Sequence, residues 1–264
     1  MKHTENYITK IGMLVFVGIL MITFCGCGGS GSTGSDYYGA DSGGTAAAGY
    51  AISGRITDAT SHTPISGATC ALQSESSGAR YSYSTTTDSS GNYSFSGVPS
   101  DNYVLIISAS DYVTLNAHFT AGADIPNLSP AIPSFSGWNA AIGDTNHPYD
   151  ATSGTLVIRT MNNVGASISG ASVSCSPAAY SAVGYVNVAT GTVDWTAAST
   201  SAAGEAFFYR VTPGQSYTIT ASQSDFSFTP LTGVTTIAGQ ISYYHMFGSE
   251  FTPMGRTISG NGTE

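Results

Sequence analysis

The chain has 264 residues, 41% apolar and only 9% charged, with 32 glycines, 10 prolines and a formal net charge of −9. Its two lysines, Lys2 and Lys10, precede an apolar N-terminal run, and only five cations follow that run (Arg55, Arg80, Arg159, Arg210 and Arg256). No basic cluster exists to neutralise backbone phosphates, so nucleic acid is excluded as a partner; the scattered carboxylates keep the chain in solution and form no acidic tail.

Ile11 to Phe24 is a short apolar run behind a basic start, the layout of a secretory signal. At about 1.5 Å per residue it covers roughly 21 Å, too little for a hydrocarbon core about 30 Å thick. The run closes in Phe24-Cys25-Gly26-Cys27-Gly28, which resembles the lipobox of bacterial lipoproteins. Cys27 fits the acylated position best: Gly26 supplies the small residue before it, whereas Cys25 follows the bulky Phe24. The resemblance implies a signal peptide over 1–26 and a lipid attached at Cys27. It further implies a membrane partner reached through that anchor, and an outer-membrane or cell-surface location, because Gly28 is not the aspartate that retains some lipoproteins on the inner membrane. A plain cleaved signal with two incidental cysteines is the other reading. Residues 27–48 are Gly/Ser/Ala-rich and too polar to offset their own ordering entropy, so they read as a flexible tether with a reach of about 25 Å.

The remainder repeats itself. Ile65-Ser66-Gly67-Ala68 recurs as Ile168-Ser169-Gly170-Ala171, and Gly91 to Val98 aligns with Gly204 to Val211, so the second copy carries an insertion between Cys175 and Gly204. Short apolar or alternating runs such as Tyr93-Ser-Phe95 and Tyr103 to Ile107 lie between turn chemistry at Asp88 to Gly91 and Val98 to Asp101. No helical period persists. The expectation is an all-β chain of two tandem antiparallel β-sandwich modules, 49–132 and 153–248, joined by a linker over 133–152 and followed by a tail over 249–264. Ile56, Leu72, Phe95, Val98, Leu105 and Ile107 are the expected core of the first.

Ser53-Gly-Arg-Ile-Thr-Asp58, Pro64-Ile-Ser-Gly-Ala68, Thr86-Thr-Asp88, Gly91-Asn-Tyr-Ser-Phe95, Val98-Pro99, Tyr103 and Asp111-Tyr112 resemble the carboxypeptidase regulatory-like domain of the transthyretin-like sandwich superfamily, over about residues 50–130. The second copy resembles it more weakly, with Ser201 in place of Asp88. The resemblance implies a transthyretin-like or Ig-like sandwich that accompanies peptidases without being one.

The search for chemistry yields little. His62, His118, His147 and His245 are isolated in sequence, and no zinc-ligand spacing, nucleophile elbow or cofactor motif appears, so no catalytic residue, metal or cofactor is expected and the chain does not read as an enzyme. Related surface sandwiches staple their strands with a Lys–Asn isopeptide bond, but no lysine follows Lys10 here. Cys70 falls opposite Val173 in the repeat and Cys175 opposite Leu72, which predicts two buried, unpaired thiols. Asp88 to Asn92 lacks the alternating ligands of a calcium loop and reads as a turn. The insertion Ser181 to Trp195 reads as a hairpin turning near Ala189 to Thr192. Tyr185 and Trp195 at its ends are the candidate ligand-contact aromatics, for a glycan face or a protein partner, unless they close the sandwich. Tyr81, Tyr83, Tyr243 and Tyr244 pose the same choice, and Trp138 is expected to pack between modules. The expected function is a structural or interaction module at the cell envelope, with a glycan-binding or adhesive role as the alternative.

Overall fold

The computed structural model describes residues 49–76 and 83–251; the signal-like run, Cys27, the tether and Tyr81 lie outside them. The first half holds β1 (Tyr50–Arg55), β2 (Thr57–Asp58), β3 (Thr69–Ser74), β4 (Tyr83–Thr86), β5 (Asn92–Val98), β6 (Asp101–Ser108) and β7 (Thr114–Ala121). Then come β8 (Ala131–Ile132) and a short helix, α1 (Trp138–Ile142). The second half holds β9 (Gly154–Asn162), β10 (Ser172–Ser176), β11 (Ala182–Val186), β12 (Val193–Asp194), β13 (Glu205–Val211), β14 (Tyr217–Ser222), β15 (Phe226–Phe228), β16 (Leu231–Val234) and β17 (Gln240–Glu250).

Period-two patterning sets the faces. In β6, Tyr103, Leu105 and Ile107 are buried and the residues between them are not. They meet Ile52 of β1 and Phe95 of β5, so that the antiparallel pair β1–β5 lies over the sheet β4-β3-β6-β7 around one core. In the second half, β10-β14-β16 lies over β9 and β13 around Leu156, Ile158, Phe208, Tyr217 and Ile219. Each fully buried Leu, Ile or Phe contributes about 1.5–3 kcal/mol.

The two halves repeat one set of hydrogen bonds. Thr87 Oγ1 donates to Ile65 O and accepts from the Ala68 N–H, and Thr200 Oγ1 does the same with Ile168 O and the Ala171 N–H. Gly91 and Gly204 both have positive φ, 78° and 73°. A Cβ there would come within 2.6 Å of Ile56 O and 2.7 Å of Thr160 O, the carbonyls of matching strands, so both turns require glycine.

The sheets pack as sandwiches, but the halves expected as two tandem antiparallel modules share one sheet and part of its pairing is parallel. β17 runs parallel to β7 on one side (Gln240 beside Thr114, Tyr243 beside Ala117) and to β9 on the other (Ile241 beside Thr155, Gly248 beside Asn162). It thereby joins both halves in one mixed ten-stranded sheet. Long connections lead to β17 from both neighbours, which is the condition for parallel pairing. Its side chains serve both cores, Ile241 and Tyr243 entering the first and Met246 the second. The cores therefore lie on opposite faces of the shared sheet, and β9 is buried on both sides, with Leu156, Val157 and Ile158 followed by the buried Arg159 and Thr160. β17 also continues to Glu250, past the expected module end at 248.

Residues 133–152 are packed against the second half. Trp138, Ala141 and Ile142 of α1 are buried, and Trp138 Nε1 donates to His147 O while its ring lies 6.2 Å from that of Phe207. Tyr149 and Tyr209 donate to Gly239 O and Pro148 O, and Asp150 pairs with Arg210 at 2.9 Å. The stretch is a cover over the β9–β13 face that looks away from the second core.

Candidate functional site

Matching positions of the two halves have opposite fates on that outward face. Ser53, Asn92 and Ser94 of the first half correspond to Val157, Glu205 and Phe207 of the second. Asn92 and Ser94 are exposed, whereas Val157, Glu205 and Phe207 are buried. The bare outer face of β1–β5 is the floor of an open groove of about 800 Å³. One wall is the loop Pro126 to Ser129, and the other is Thr85 and Thr86 of β4 with Asp88.

Arg55 Nε donates to Ser90 O, and the Asp88 carboxylate accepts from the backbone N–H groups of Ser90 and Asn92. Those donors, Asn92 first, hold the Asp88 carboxyl below its ordinary range. This turn is closed by its own backbone, as the sequence predicts. The groove offers hydroxyls, amides and one guanidinium, a surface suited to hydrogen-bonded recognition.

A second polar cluster is buried at the seam between the halves. Glu205, Arg159 and His245 stand side by side on β13, β9 and β17. Tyr243 donates to Glu205 Oε1 at 2.9 Å, and Arg159 donates to Ser167 Oγ. Burial pushes the Glu205 carboxyl up to about 8 against the pull of Arg159, and burial with the nearby Arg159 charge pushes His245 down to about 4. The cavity beside His245, walled by Leu115, Phe119, Leu128 and Pro130, holds about 30 Å³, room for one or two waters and no substrate.

His118 and His147 do find carboxylates, Glu75 and Asp144. Each ring is stacked at 3.8 Å on an aromatic, Tyr244 and Trp195 respectively. Among the described residues no group of three side chains is placed to hold a metal ion. Cys70 and Cys175 are both free and buried, and desolvation raises their thiols to about 12 and about 11, so neither is a ready nucleophile.

The insertion forms the expected hairpin, with Tyr185 opposite Asp194 and Val186 opposite Val193. Its aromatics do not form a binding face, which corrects the expectation for Tyr185 and Trp195. Tyr185 is 4% exposed in the second core, where its hydroxyl accepts from the Val173 N–H and donates to Val173 O. Trp195 lies on the other side of the hairpin, between the His147 ring and Phe207. An edge strand, β10, has backbone groups that need a partner, and a tyrosine hydroxyl provides one; sequence reasoning saw the ring and missed that use. Thr87 and Thr200 were equally silent, although both fall at the same place in the repeat. Tyr243 is buried and Tyr244 half-buried, while Tyr83 reaches across to Gly97 O at 2.8 Å.

The architecture is thus an all-β protein whose sheets pack as sandwiches and which carries an open polar groove over β1–β5. Residues 51–127 match the carboxypeptidase regulatory-like domain family, the family to which the first-half motifs pointed. No curated protein sequence matches the chain. Among solved structures, the minor pilin GBS52 of Streptococcus agalactiae is similar at 11% identity and a TM-score of 0.29, covering 80% of this chain and 99% of that one. The shaft pilin SpaA of Lactobacillus rhamnosus GG is similar at 10% identity and 0.27, covering 79% and 99%. The Bacillus anthracis TIE protein is similar at 12% identity and 0.26; 77% of this chain is covered but only 34% of the length of that protein. No helix among the described residues is long and apolar enough to cross a membrane.

Proposed function

We propose that this chain is an exported lipoprotein, anchored through Cys27, that serves as a non-catalytic structural and interaction module at the cell envelope, built from two divergent copies of one sandwich. The observation that carries the reading is the strand β17, which fuses both copies into one sheet. Such a body couples the two copies and leaves the β1–β5 groove uncovered. Supporting it are the hydrogen bonds shared by Thr87 and Thr200, and the placement of the His–carboxylate pairs against aromatic rings rather than beside a substrate-sized cavity.

The test is mass analysis of the mature N-terminus in membrane and soluble fractions, with and without inhibition of the lipoprotein signal peptidase, comparing the wild type with Cys27→Ala. Acylation at Cys27 that is lost in the variant is the expected result. A mature chain that is unmodified and released from the membrane would remove the anchor. In-cell crosslinking from the first half should capture an envelope component, and a wild-type chain that captures none would remove the interaction role.

A further inference from the structure

We propose that the open edge of β5 receives an extended strand from a partner chain, carrying small side chains and added antiparallel as β11 is added to β13. This deepens the interaction reading above, on which it rests, by naming the surface and the chemistry of the partner.

The argument begins at Ser53. Its N–H donates to Ile125 O and its C=O accepts from the Leu128 N–H, so both backbone groups point away from β5. In an antiparallel ladder, residues facing each other share this property, and Ser94 faces Ser53. The Ser94 N–H and C=O are therefore turned outward, away from β1. Asn92 agrees, because its carbonyl accepts from the Asp88 N–H on that same outer side. Among the described residues β5 pairs with β1 alone, and Ser94 is exposed.

The second half shows what this edge accepts. At the matching positions of β13, the strand β11 is paired in register, with Tyr185 beside Ala206, Gly184 beside Phe207 and Val183 beside Phe208. Phe207 corresponds to Ser94. Among the described residues the first half has no such strand: β11 belongs to the insertion of the second half, and β4 pairs with β3. β4 still stands near β5, with Tyr83 Oη donating to Gly97 O. The edge therefore faces the groove on the side where Thr85, Thr86 and Asp88 line it. These residues line the groove together with Asn92 and Ser94, which suits Gly, Ala, Ser and Thr side chains over bulky ones. Main-chain pairing supplies affinity in such an addition, and alternate side chains supply selectivity.

The probe is a short synthetic peptide of Gly, Ala, Ser and Thr residues, titrated into the full mature chain with residue-resolved hydrogen exchange. The expected result is roughly tenfold slower exchange of the Ser94 amide with peptide bound. Ser94→Pro removes an outward N–H without touching the β1 ladder, so it should abolish that binding while leaving the unfolding midpoint in place. Ser94→Lys, which keeps the N–H but charges the edge, should weaken it. Unchanged Ser94 exchange, protection elsewhere, or equal binding by both variants would overturn the proposal. So would Ser94 protection without peptide accompanied by a dimer in sedimentation, since the occupant would then be a second copy. Envelope crosslinking that persists in Ser94→Pro defeats strand addition and leaves the module reading standing; loss of acylation defeats the anchor and leaves strand addition standing.

Discussion

The β1–β5 and β9–β13 pairs hold matching positions in the two halves, yet one outer face is bare and the other is a core. Three kinds of change separate them. Ser94 becomes Phe207 and Ser53 becomes Val157; a hairpin is added along one edge; and residues 133–152 bring Trp138 and Tyr149 down as a lid. The inward faces keep their chemistry, as the paired Thr87 and Thr200 bonds show. A sandwich can therefore exchange a solvent face for a second core through its outward residues alone, because the period of two keeps the two faces independent.

The largest effect should come from reversing that exchange. Phe207→Ser places a hydroxyl and a cavity between Trp138 and Trp195 and should cost about 3–5 kcal/mol in chemical denaturation. A loss under about 1 kcal/mol would mean that the lid is not seated on β13. Next, Thr87→Val and Thr200→Val should each cost about 1–3 kcal/mol, since each strands a buried N–H. Similar losses would support the equivalence of the copies, and a loss in only one would break it. Tyr185→Phe belongs to the same range, with faster exchange at the Val173 amide as its signature.

The buried row provides a pH test. Folded Glu205 holds its proton to about pH 8 against an ordinary 4.5, so the folded chain binds the extra proton between those values and stability falls as pH rises across them. His245 acts oppositely: unfolded it binds a proton up to about 6.5 and folded only below about 4, so its contribution rises over that window. Above about pH 6.5 Glu205 acts alone. The wild-type denaturation midpoint should then drop from pH 6.5 to 8, and Glu205→Gln should flatten the drop; a wild type that is level over that range would mean Glu205 is already ionised at neutral pH. The smallest effect is expected from Ser94→Ala, within about 0.5 kcal/mol, because nothing packs on that face.

Much of this was legible beforehand. Ile56, Leu72, Phe95, Val98, Leu105 and Ile107 are all buried, the hairpin turns at the expected Ala189 to Thr192, and the thiols are free. The unread parts share a cause. A serine at Ser94 and a phenylalanine at Phe207 give local patterns that fit a strand equally well, and whether a face is covered depends on segments far away in sequence. Tyr185 looked like a platform because its ring is visible in a sequence, while the edge it caps is not. Residues 133–152 carry too few periodic positions to announce a lid. Nothing local in β17 marks it as a parallel strand, and its insertion follows only from which edges are left open.

That insertion has a consequence for how the molecule is made. Asn116 and Gln240, bonded across the seam, are 124 residues apart along the chain. A polypeptide synthesised from its N-terminus therefore completes both halves before the strand that couples them arrives. Until then β7 and β9 wait with unsatisfied edges, a period of adhesive vulnerability in a crowded compartment. The polar character of the chain elsewhere is a fitting companion to that delay, and an escort that shields these two edges during maturation would have a defined place to act.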